Sequence, residues 1–356
     1  MHKEWNACKR DQAPWWGEVS KCAPQEAFRD LSCGLKNFFD SRAGRRNGPR
    51  VGFPRFRKKG VRDSFRYSTG AFGVTDSRHV RLPRLGCVRT KEATTKLSEL
   101  IEKNSARVTS ATVSRRADRW FVSFCCEVDR DDPKARVGDP VGIDRGLRSF
   151  AVCSDGNVIG SPQALQRNLR KLKRLSRSVS RKQMGSKNRA KARLTLARRH
   201  RRIADLRRDH LHKVTTNLAR TKRVIVIEGL NVAGMIKNRT FALRIADAAW
   251  TEFARMLAYK CEWYGSTLVV ADRFFPSSKT CSECGAVKEK LALSQRSFTC
   301  EGCGAVIDRD LNAATNLAWL CGPVAASAAE TKNACGGERF MASRQVLPFE
   351  AGRERP

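Results

Sequence analysis

Four of the 14 cysteines stand at a spacing that is typical of a metal site. Cys281 and Cys284 form one Cys-x2-Cys pair, and Cys300 and Cys303 form a second pair after 15 intervening residues. A glycine follows each pair and lets the backbone fold around a tetrahedral ion. Because four thiolates complete the coordination shell, the spacing predicts a structural Zn2+ site with no open position for catalysis.

Three acidic residues stand at the ends of apolar or periodic segments. Asp144 interrupts the apolar sequence VGID, Glu228 ends the run VIVIE, and Asp310 follows the second cysteine pair at the start of a helical pattern. An acid at the end of a buried strand is costly unless it is paired or bound to a metal. Two alternatives remain at the third position: Asp310 is equally well interpreted as a helix N-cap, and Asp308 is a second candidate ligand.

Three such carboxylates suit two divalent cations roughly 4 Å apart, one activating water and the other stabilising the departing 3′ oxygen in phosphodiester hydrolysis. Hard oxygen ligands favour Mg2+ or Mn2+ over Zn2+ at this position. The chemistry requires no acid–base histidine. The acids therefore predict a hydrolytic centre that is separate from the cysteine site.

The charge of the chain indicates its partner. Lys and Arg number 70 against 35 Asp and Glu, which gives a formal net charge of +35. An excess of one sign favours a polyanion, so nucleic acid is the expected partner. The sequence has no apolar run long enough to span a membrane and no signal peptide. These observations predict a cytoplasmic, nucleoid-associated protein without membrane contact; they identify no protein partner.

The elements before the acids divide into a helical and a β part. Residues 1 to about 45 have helical periodicity, and residues 65–130 show the period-two alternation of a small barrel or sandwich. Between them, VGFPRFRKKG places two phenylalanines among cations, which suits stacking on bases and pairing with phosphates. A strand whose aromatic residues face a small core is an equally good interpretation. The predicted nucleic-acid contacts here are Arg55, Arg57, Lys58 and Lys59.

A basic helical pair separates the first two acids. Residues 163–220 predict two long amphipathic helices, and residues 161–213 contain 19 Lys and Arg against two acids. A run of charge is usually a solvated face, but a single sign on a helical pair favours a surface that follows phosphates. The predicted contacts on this surface are Arg174, Arg177, Arg181 and Lys182.

The remaining segments predict the elements that carry the second and third acids. The run 223–231 predicts a buried strand, followed by a helix over about 248–264 and a second buried strand that leads to the cysteines. Residues 310–320 predict a helix that Asp310 caps. Beyond residue 321 the sequence has no periodicity and predicts a loose tail.

Four motifs together resemble the TnpB (OrfB) proteins of insertion sequences, relatives of the CRISPR nucleases that have a single RuvC domain. They are GIDRGLRSFAV, IEGLNVAGM, FPSSKTCSECG and DRDLNAATNL. The resemblance runs from about Trp15 to about residue 333, which is most of the chain. The ordered set is far more specific than the zinc ribbon alone.

This resemblance implies an α+β multidomain fold. The implied parts are a helical segment (1–48), a β-barrel (49–135), an RNase H-like RuvC core of α/β type (136–275) with a basic helical insertion (161–220), a zinc ribbon (276–306), a last RuvC helix (307–322) and a disordered tail (323–356). The catalytic acids implied are Asp144, Glu228 and Asp310, the last being the second aspartate of DRDLN.

The resemblance also implies a guide RNA encoded at the element's end, and a double-stranded DNA target that one site cuts on both strands. Base pairing would supply sequence specificity, while the protein reads a short adjacent motif. TnpB-like proteins usually begin with a further stretch whose strand completes the barrel, whereas Met1 here is followed directly by HKEWN. A catalytically silent relative that only binds nucleic acid is therefore the alternative expectation. A strand-joining transposase is disfavoured, because nothing resembles a tyrosine nucleophile with paired metal-binding histidines.

Overall fold

A computed structural model describes residues 2–56, 60, 63–292 and 295–321. The chain divides into two compact units. One contains Met1–Asp132 and Leu169–Ala204, and the other contains Pro133–Asn168 and Asp205–Pro356. No helix among the described residues is both long enough and apolar enough to cross a membrane.

The first unit begins with helices and continues with short antiparallel strands. Its elements are α1 (His2–Gln12), a 3-10 turn (Pro14–Gly17), α2 (Cys22–Arg42), β1 (Ser64–Tyr67), β2 (Gly73–Val74), β3 (His79–Leu82), β4 (Gly86–Arg89), α3 (Thr95–Glu102), β5 (Ala106–Arg116) and β6 (Arg119–Val128). The strands form two three-stranded sheets, ordered β1-β5-β6 and β2-β3-β4. A single closed barrel is therefore not seen among the described residues.

A small core joins the two sheets of the first unit. Tyr67 of β1, Val80 of β3 and Ala111 of β5 are buried in one cluster with Cys22 at the start of α2. Side chains on the inward face of β6 pack around this cluster, as the period-two alternation predicted. The packing is that of a small sandwich, which is one of the two architectures that the sequence favoured.

The aromatic segment before β1 does not form a strand in its described part. Residues 51–56 have no regular secondary structure. Phe56 is fully exposed, and Phe53 is 64% exposed with its ring centroid 5.3 Å from that of Phe38. The interpretation that both rings face a core is thus wrong for Phe56. Arg55 is exposed, whereas Arg57, Lys58 and Lys59 lie outside the described residues.

Two long helices are present where the sequence predicted them, α4 (Ala164–Ser180) and α5 (Lys187–Thr221). Leu172 of α4 is buried on the apolar stripe. The start of α4 is capped from a distance, because both carboxylate oxygens of Asp247 accept hydrogen bonds from the Leu165 and Gln166 amides at 2.9–3.0 Å. Local sequence could not reveal this cap, since Asp247 lies about 80 residues further along the chain.

The second unit is built on a five-stranded sheet. Its further elements are β7 (Val141–Asp144), β8 (Ala151–Cys153), β9 (Val158–Ile159), β10 (Val224–Glu228), α6 (Val232–Met235), α7 (Ala242–Ala248), α8 (Trp250–Tyr264), β11 (Thr267–Ala271), β12 (Ser297–Thr299), β13 (Val306–Asp308) and α9 (Arg309–Trp319). The sheet order is β11-β10-β7-β8-β9. β7, β10 and β11 run parallel, while β7, β8 and β9 form an antiparallel meander. Irregular residues and bends over 145–150 separate β7 from β8.

Both faces of this sheet are covered. Ile143 and Ile227 are buried against Phe253 and Leu257 of α8 and against the end of α5. On the opposite face, Val226 is buried with Leu317 of α9. Since successive side chains of a strand point to opposite faces, the uninterrupted apolar sequence of β10 follows from this double burial.

Helix α9 approaches the backbone of β7 more closely than a side chain would allow. A Cβ on Gly142 would collide with the carbonyl oxygen of Ala314 and the amide nitrogen of Ala318, and would lie 2.9 Å from the Cβ of Leu317. Gly142 lies in the middle of β7, so only a glycine leaves room for the helix there. This contact fixes where the beginning of α9 lies above the sheet.

We predict that Gly142→Ala lowers the free energy of unfolding by about 3 kcal/mol, because α9 must shift away from β7. Gly160→Ala is the matched control, since a Cβ at Gly160 meets no atom within 4 Å. Urea denaturation of both variants measures the difference. Equal stability of the two variants would show that α9 does not depend on the close approach.

Candidate active site

Asp144 and Glu228 end neighbouring parallel strands. Ile227 pairs with Ile143 in the register between β10 and β7, so the next residue of each strand is an acid beside the other acid. Adjacent strands are about 4.8 Å apart. The alternation that turns Gly142 and Val226 toward α9 also turns Asp144 and Glu228 to that face.

Asp310 reaches the same place from α9, and a different aspartate caps this helix. The carboxylate of Asp308 accepts hydrogen bonds from the amides of Asp310 (3.0 Å) and Leu311 (3.1 Å). The prediction that Asp310 is the N-cap is therefore wrong: Asp308 has the extended backbone that an N-cap requires, and Asp310 lies inside the first turn. Its carboxylate is consequently not engaged as the helix cap.

The three acids influence one another electrostatically at this edge of the sheet. Burial raises the pKa of Asp144 to about 8, and the negative charges of Glu228 and Asp310 add to this rise. Burial also raises the pKa of Glu228, against the opposing effects of a hydrogen bond from Ser277 and the charge of Arg145. Carboxylate oxygens are donors of the kind that a divalent cation prefers, and a cation would favour the ionised forms of Asp144 and Glu228.

A buried arginine supports this edge of the sheet. Arg145 follows Asp144 and is only 7% exposed, and its Nη2 donates to the backbone carbonyl of Glu228. Burial lowers the pKa of Arg145, and the neighbouring carboxylates oppose that effect. The guanidinium thus ties β7 to β10 and places a positive charge beside the acids. Sequence reasoning missed this residue, although its position next to Asp144 in GIDRG was a signal.

Two asparagines of α9 hold the segment that leads to the cysteines. Asn312 donates to the carbonyl of Thr280 at 2.7 Å and accepts from the amide of Ser282 at 2.9 Å. Asn316 donates to the carbonyls of Ser277 (2.8 Å) and Thr280 (2.6 Å). Both are buried. Their spacing of four residues puts them on one helix face, a pattern visible in NAATN that the sequence reasoning did not use.

Ser277 connects this segment to the acids. Its hydroxyl donates to Oε1 of Glu228 at 3.1 Å, and its side chain is buried. The same residue is held through its carbonyl by α9. Glu228 is therefore positioned by a hydrogen bond that depends on how the cysteine-bearing segment docks.

The four cysteines converge as their spacing predicted. The four Sγ atoms all lie within 4.8 Å of one another; they belong to Cys281, Cys284, Cys300 and Cys303. Each pair forms the same turn, in which the following glycine has a positive φ and donates its amide to the carbonyl of the first cysteine. Hydrogen bonds from backbone amides, chiefly that of Cys303, lower the pKa of Cys300 to about 6. The cluster can bind a structural zinc ion.

The predicted contacts on α4 and just after its end lie mostly at the surface. Arg174, Arg177 and Arg181 are exposed, while Lys182 is half-buried and its carbonyl accepts a hydrogen bond from Arg189 at 2.9 Å. Arg174 and Arg177 are three residues apart and share one face of α4, whereas Arg181 and Lys182 follow the end of the helix. Their contact with nucleic acid stays a prediction.

A buried carboxylate cluster on a parallel strand pair, with a four-cysteine ribbon on a strongly basic chain, is typical of metal-dependent nucleases. Residues 123–239 match the family OrfB_IS605, described as "Probable transposase", and residues 250–317 match the family "Cas12f1-like, TNB domain". Among solved structures, the Cas12f1 chain of a complex with sgRNA and target DNA matches with a TM-score of 0.50 at 16% identity, over 81% of this chain and 70% of that one. The match agrees with a mixed α+β fold.

Curated relatives are more similar in sequence. A protein of Streptomyces pristinaespiralis named "Putative RNA-guided DNA endonuclease" is 42% identical over 327 residues, which cover 91% of this chain and 76% of that protein. "Putative RNA-guided DNA endonuclease InsQ" of Escherichia coli K12 is 33% identical over 334 residues, covering 88% and 77%. The chain therefore belongs to the TnpB (OrfB) family of RNA-guided DNA endonucleases, and the resemblance seen in its motifs is confirmed.

We predict that Cys281→Ser removes the bound zinc and lowers the melting temperature of the second unit. The reason is that the segment held by Asn312 and Asn316 leads into the cysteine cluster and is no longer fixed there by a metal ion. Zinc content falls from about one ion per chain to near zero. The matched control is Cys33→Ser, a substitution of an exposed free cysteine on α2. Unchanged zinc content and melting in Cys281→Ser would contradict a structural ribbon.

Proposed function

We propose that this chain is an RNA-guided DNA endonuclease of a transposable element and that Asp144, Glu228 and Asp310 form its hydrolytic centre. The observation that carries the proposal is the convergence of three carboxylates from distant parts of the sequence. Strand register brings the first two together, and the packing of α9 on Gly142 adds the third. The pKa values of Asp144 and Glu228 are raised, so ionising these two acids costs free energy, and a bound cation would offset that cost.

The topology of the sheet supports an RNase H-like (RuvC) layout for the core. A meander of three antiparallel strands is followed, across a helical connection, by two strands parallel to the first, with the order β9-β8-β7-β10-β11. We assign the acids to the ends of the first and fourth strands and to the last helix of that layout. The two sheets of the first unit correspond to the proposed wedge-like domain.

The donor set fits Mg2+ or Mn2+ as the catalytic metal. Carboxylate oxygens are the ligands that these hard cations prefer. When bound, the metal supplies an activated water and charge stabilisation for phosphodiester hydrolysis. The protein's own groups prepare the site: Ser277 orients the carboxylate of Glu228, and Arg145 links the ends of the two strands that carry the first two acids.

The partners proposed are a guide RNA, encoded at the end of the element, and a double-stranded DNA target in the cytoplasm. The net charge of +35 and the exposed basic face of α4 support polyanionic partners. Relatives named for RNA-guided cleavage support the specific pair. Zinc would be a structural cofactor of the ribbon and would take no part in hydrolysis.

The second candidate is a family member that binds nucleic acid without cutting it. The described strands of the first unit form two open sheets instead of a closed barrel, which favours weaker handling of the guide. The intact acids favour the nuclease. The two candidates differ in one observable property, which is guide-dependent hydrolysis.

We predict that Asp144→Asn or Glu228→Gln lowers the rate of guide-dependent cutting at least about a thousandfold, since each removes several kcal/mol of metal-borne stabilisation of the transition state. Copurified RNA stays unchanged, because neither residue contacts phosphate without metal. The control Asp139→Asn alters an exposed acid five residues before Asp144 and should cut normally. The assay is plasmid cleavage by the purified protein–RNA complex in Mg2+.

Cutting by either variant at the wild-type rate would remove the assignment of the three acids. Bound RNA without cutting by the wild-type protein would instead support the second candidate.

A further inference from the structure

A loop beside the acid cluster presents an aromatic ring to solvent. Residues 272–276 connect β11 to Ser277, and the side chain of Phe274 within this loop is 84% exposed. Its neighbour Phe275 instead packs against the core between the sheet and α9. Arg273 on the other side is exposed. The loop thus turns one ring inward and leaves a second ring, with a cation next to it, in water.

Both ends of this loop are fixed to Glu228. Ala271, the last residue of β11, pairs with Glu228 in the parallel register. Ser277, where the loop ends, donates its hydroxyl to the Glu228 carboxylate. A Cβ on Gly229, the next residue of the chain, would lie 2.7 Å from the carbonyl oxygen of Ala271. Phe274 is three residues from one anchor and three from the other, so it lies within about 11 Å of each.

Internal hydrogen bonds shape the loop. The carboxylate of Asp272 accepts from the amide of Phe274 at 2.7 Å, and its carbonyl accepts from the amide of Phe275 at 3.2 Å. The carbonyl of Phe275 accepts from the amide of Ser277 at 2.8 Å. A single exposed aromatic residue is ordinary on a protein surface, but this one is held by an ordered turn at the edge of the carboxylate cluster.

We propose that Phe274 stacks on a nucleobase of the DNA strand whose phosphate enters the acid cluster, with Arg273 beside it for the backbone of the same strand. This inference rests on the proposed function and adds to it a residue that positions the substrate. Aromatic faces stack on any base, so the contact is independent of sequence. That independence suits an enzyme in which the guide supplies the specificity.

The test compares Phe274→Ala, Phe274→Leu and Phe274→Trp in the full-length protein purified with its guide RNA. Single-turnover cutting of matched DNA in Mg2+ should slow about tenfold in the first two variants and stay within about twofold of wild type in the third, as expected for lost or retained stacking. Binding of the matched duplex should not change, because guide pairing determines it. Trp319→Ala, which removes an exposed ring at the far end of α9, is the matched control.

A second readout does not depend on cutting. The assay replaces Mg2+ by Ca2+ and measures the fluorescence of 2-aminopurine in single-stranded DNA. The wild-type complex and the Phe274→Trp complex should quench this fluorescence, whereas the complexes of the alanine and leucine variants should not. Wild-type cutting rates in Phe274→Ala, rescue by leucine, or unchanged quenching in the alanine variant would overturn the inference. Loss of guide RNA from Phe274→Ala would assign the ring to RNA and also overturn it. If the wild-type complex quenches but never cuts, the proposed function fails while the stacking contact stands.

Discussion

The close packing of α9 on β7 at Gly142 is the contact on which the rest of the candidate site depends. Strand register alone brings Asp144 and Glu228 side by side. A third carboxylate must come from another element, and the helix can deliver Asp310 only because the middle of β7 carries no side chain. The site therefore combines residues separated by more than 160 positions in the sequence.

Assembling three acids in this way works against stability. Burial and mutual repulsion raise the pKa of Asp144 to about 8, so ionising it costs free energy that the surrounding structure must offset. Hydrogen bonds around the site provide this offset. Arg145 links the ends of β7 and β10, and Asn312 and Asn316 hold the segment that contains Ser277. That segment continues into the four-cysteine cluster, so the residue that holds Glu228 and the cysteines belong to one stretch of chain. Buried acids with raised pKa values are common at functional sites.

Much of this arrangement could be predicted from the sequence. The parts that could not be predicted depend on tertiary contacts. Glu228 ends an uninterrupted apolar run, which predicts a strand buried on both faces, and the cysteine spacing predicts its own geometry. The family resemblance implied Asp310, but the residues alone left Asp308 and Asp310 open, because both stand at the start of a helix and only backbone geometry shows which one caps it. Arg145 and Ser277 act through tertiary contacts, which no local pattern encodes. The barrel could not be predicted reliably, because period-two alternation indicates where strands lie but does not show which strands pair with each other.

The most direct test of the account is the position of a metal ion in crystals of the protein grown with Mn2+, located by anomalous diffraction. We expect an anomalous peak in contact with carboxylate oxygens of Asp144, Glu228 and Asp310, with Asp308 still capping α9, and a weakened peak in Asp310→Asn. A peak bound by Asp308 in place of Asp310, or no peak at this edge of the sheet, would show that α9 does not complete a carboxylate site for a divalent metal.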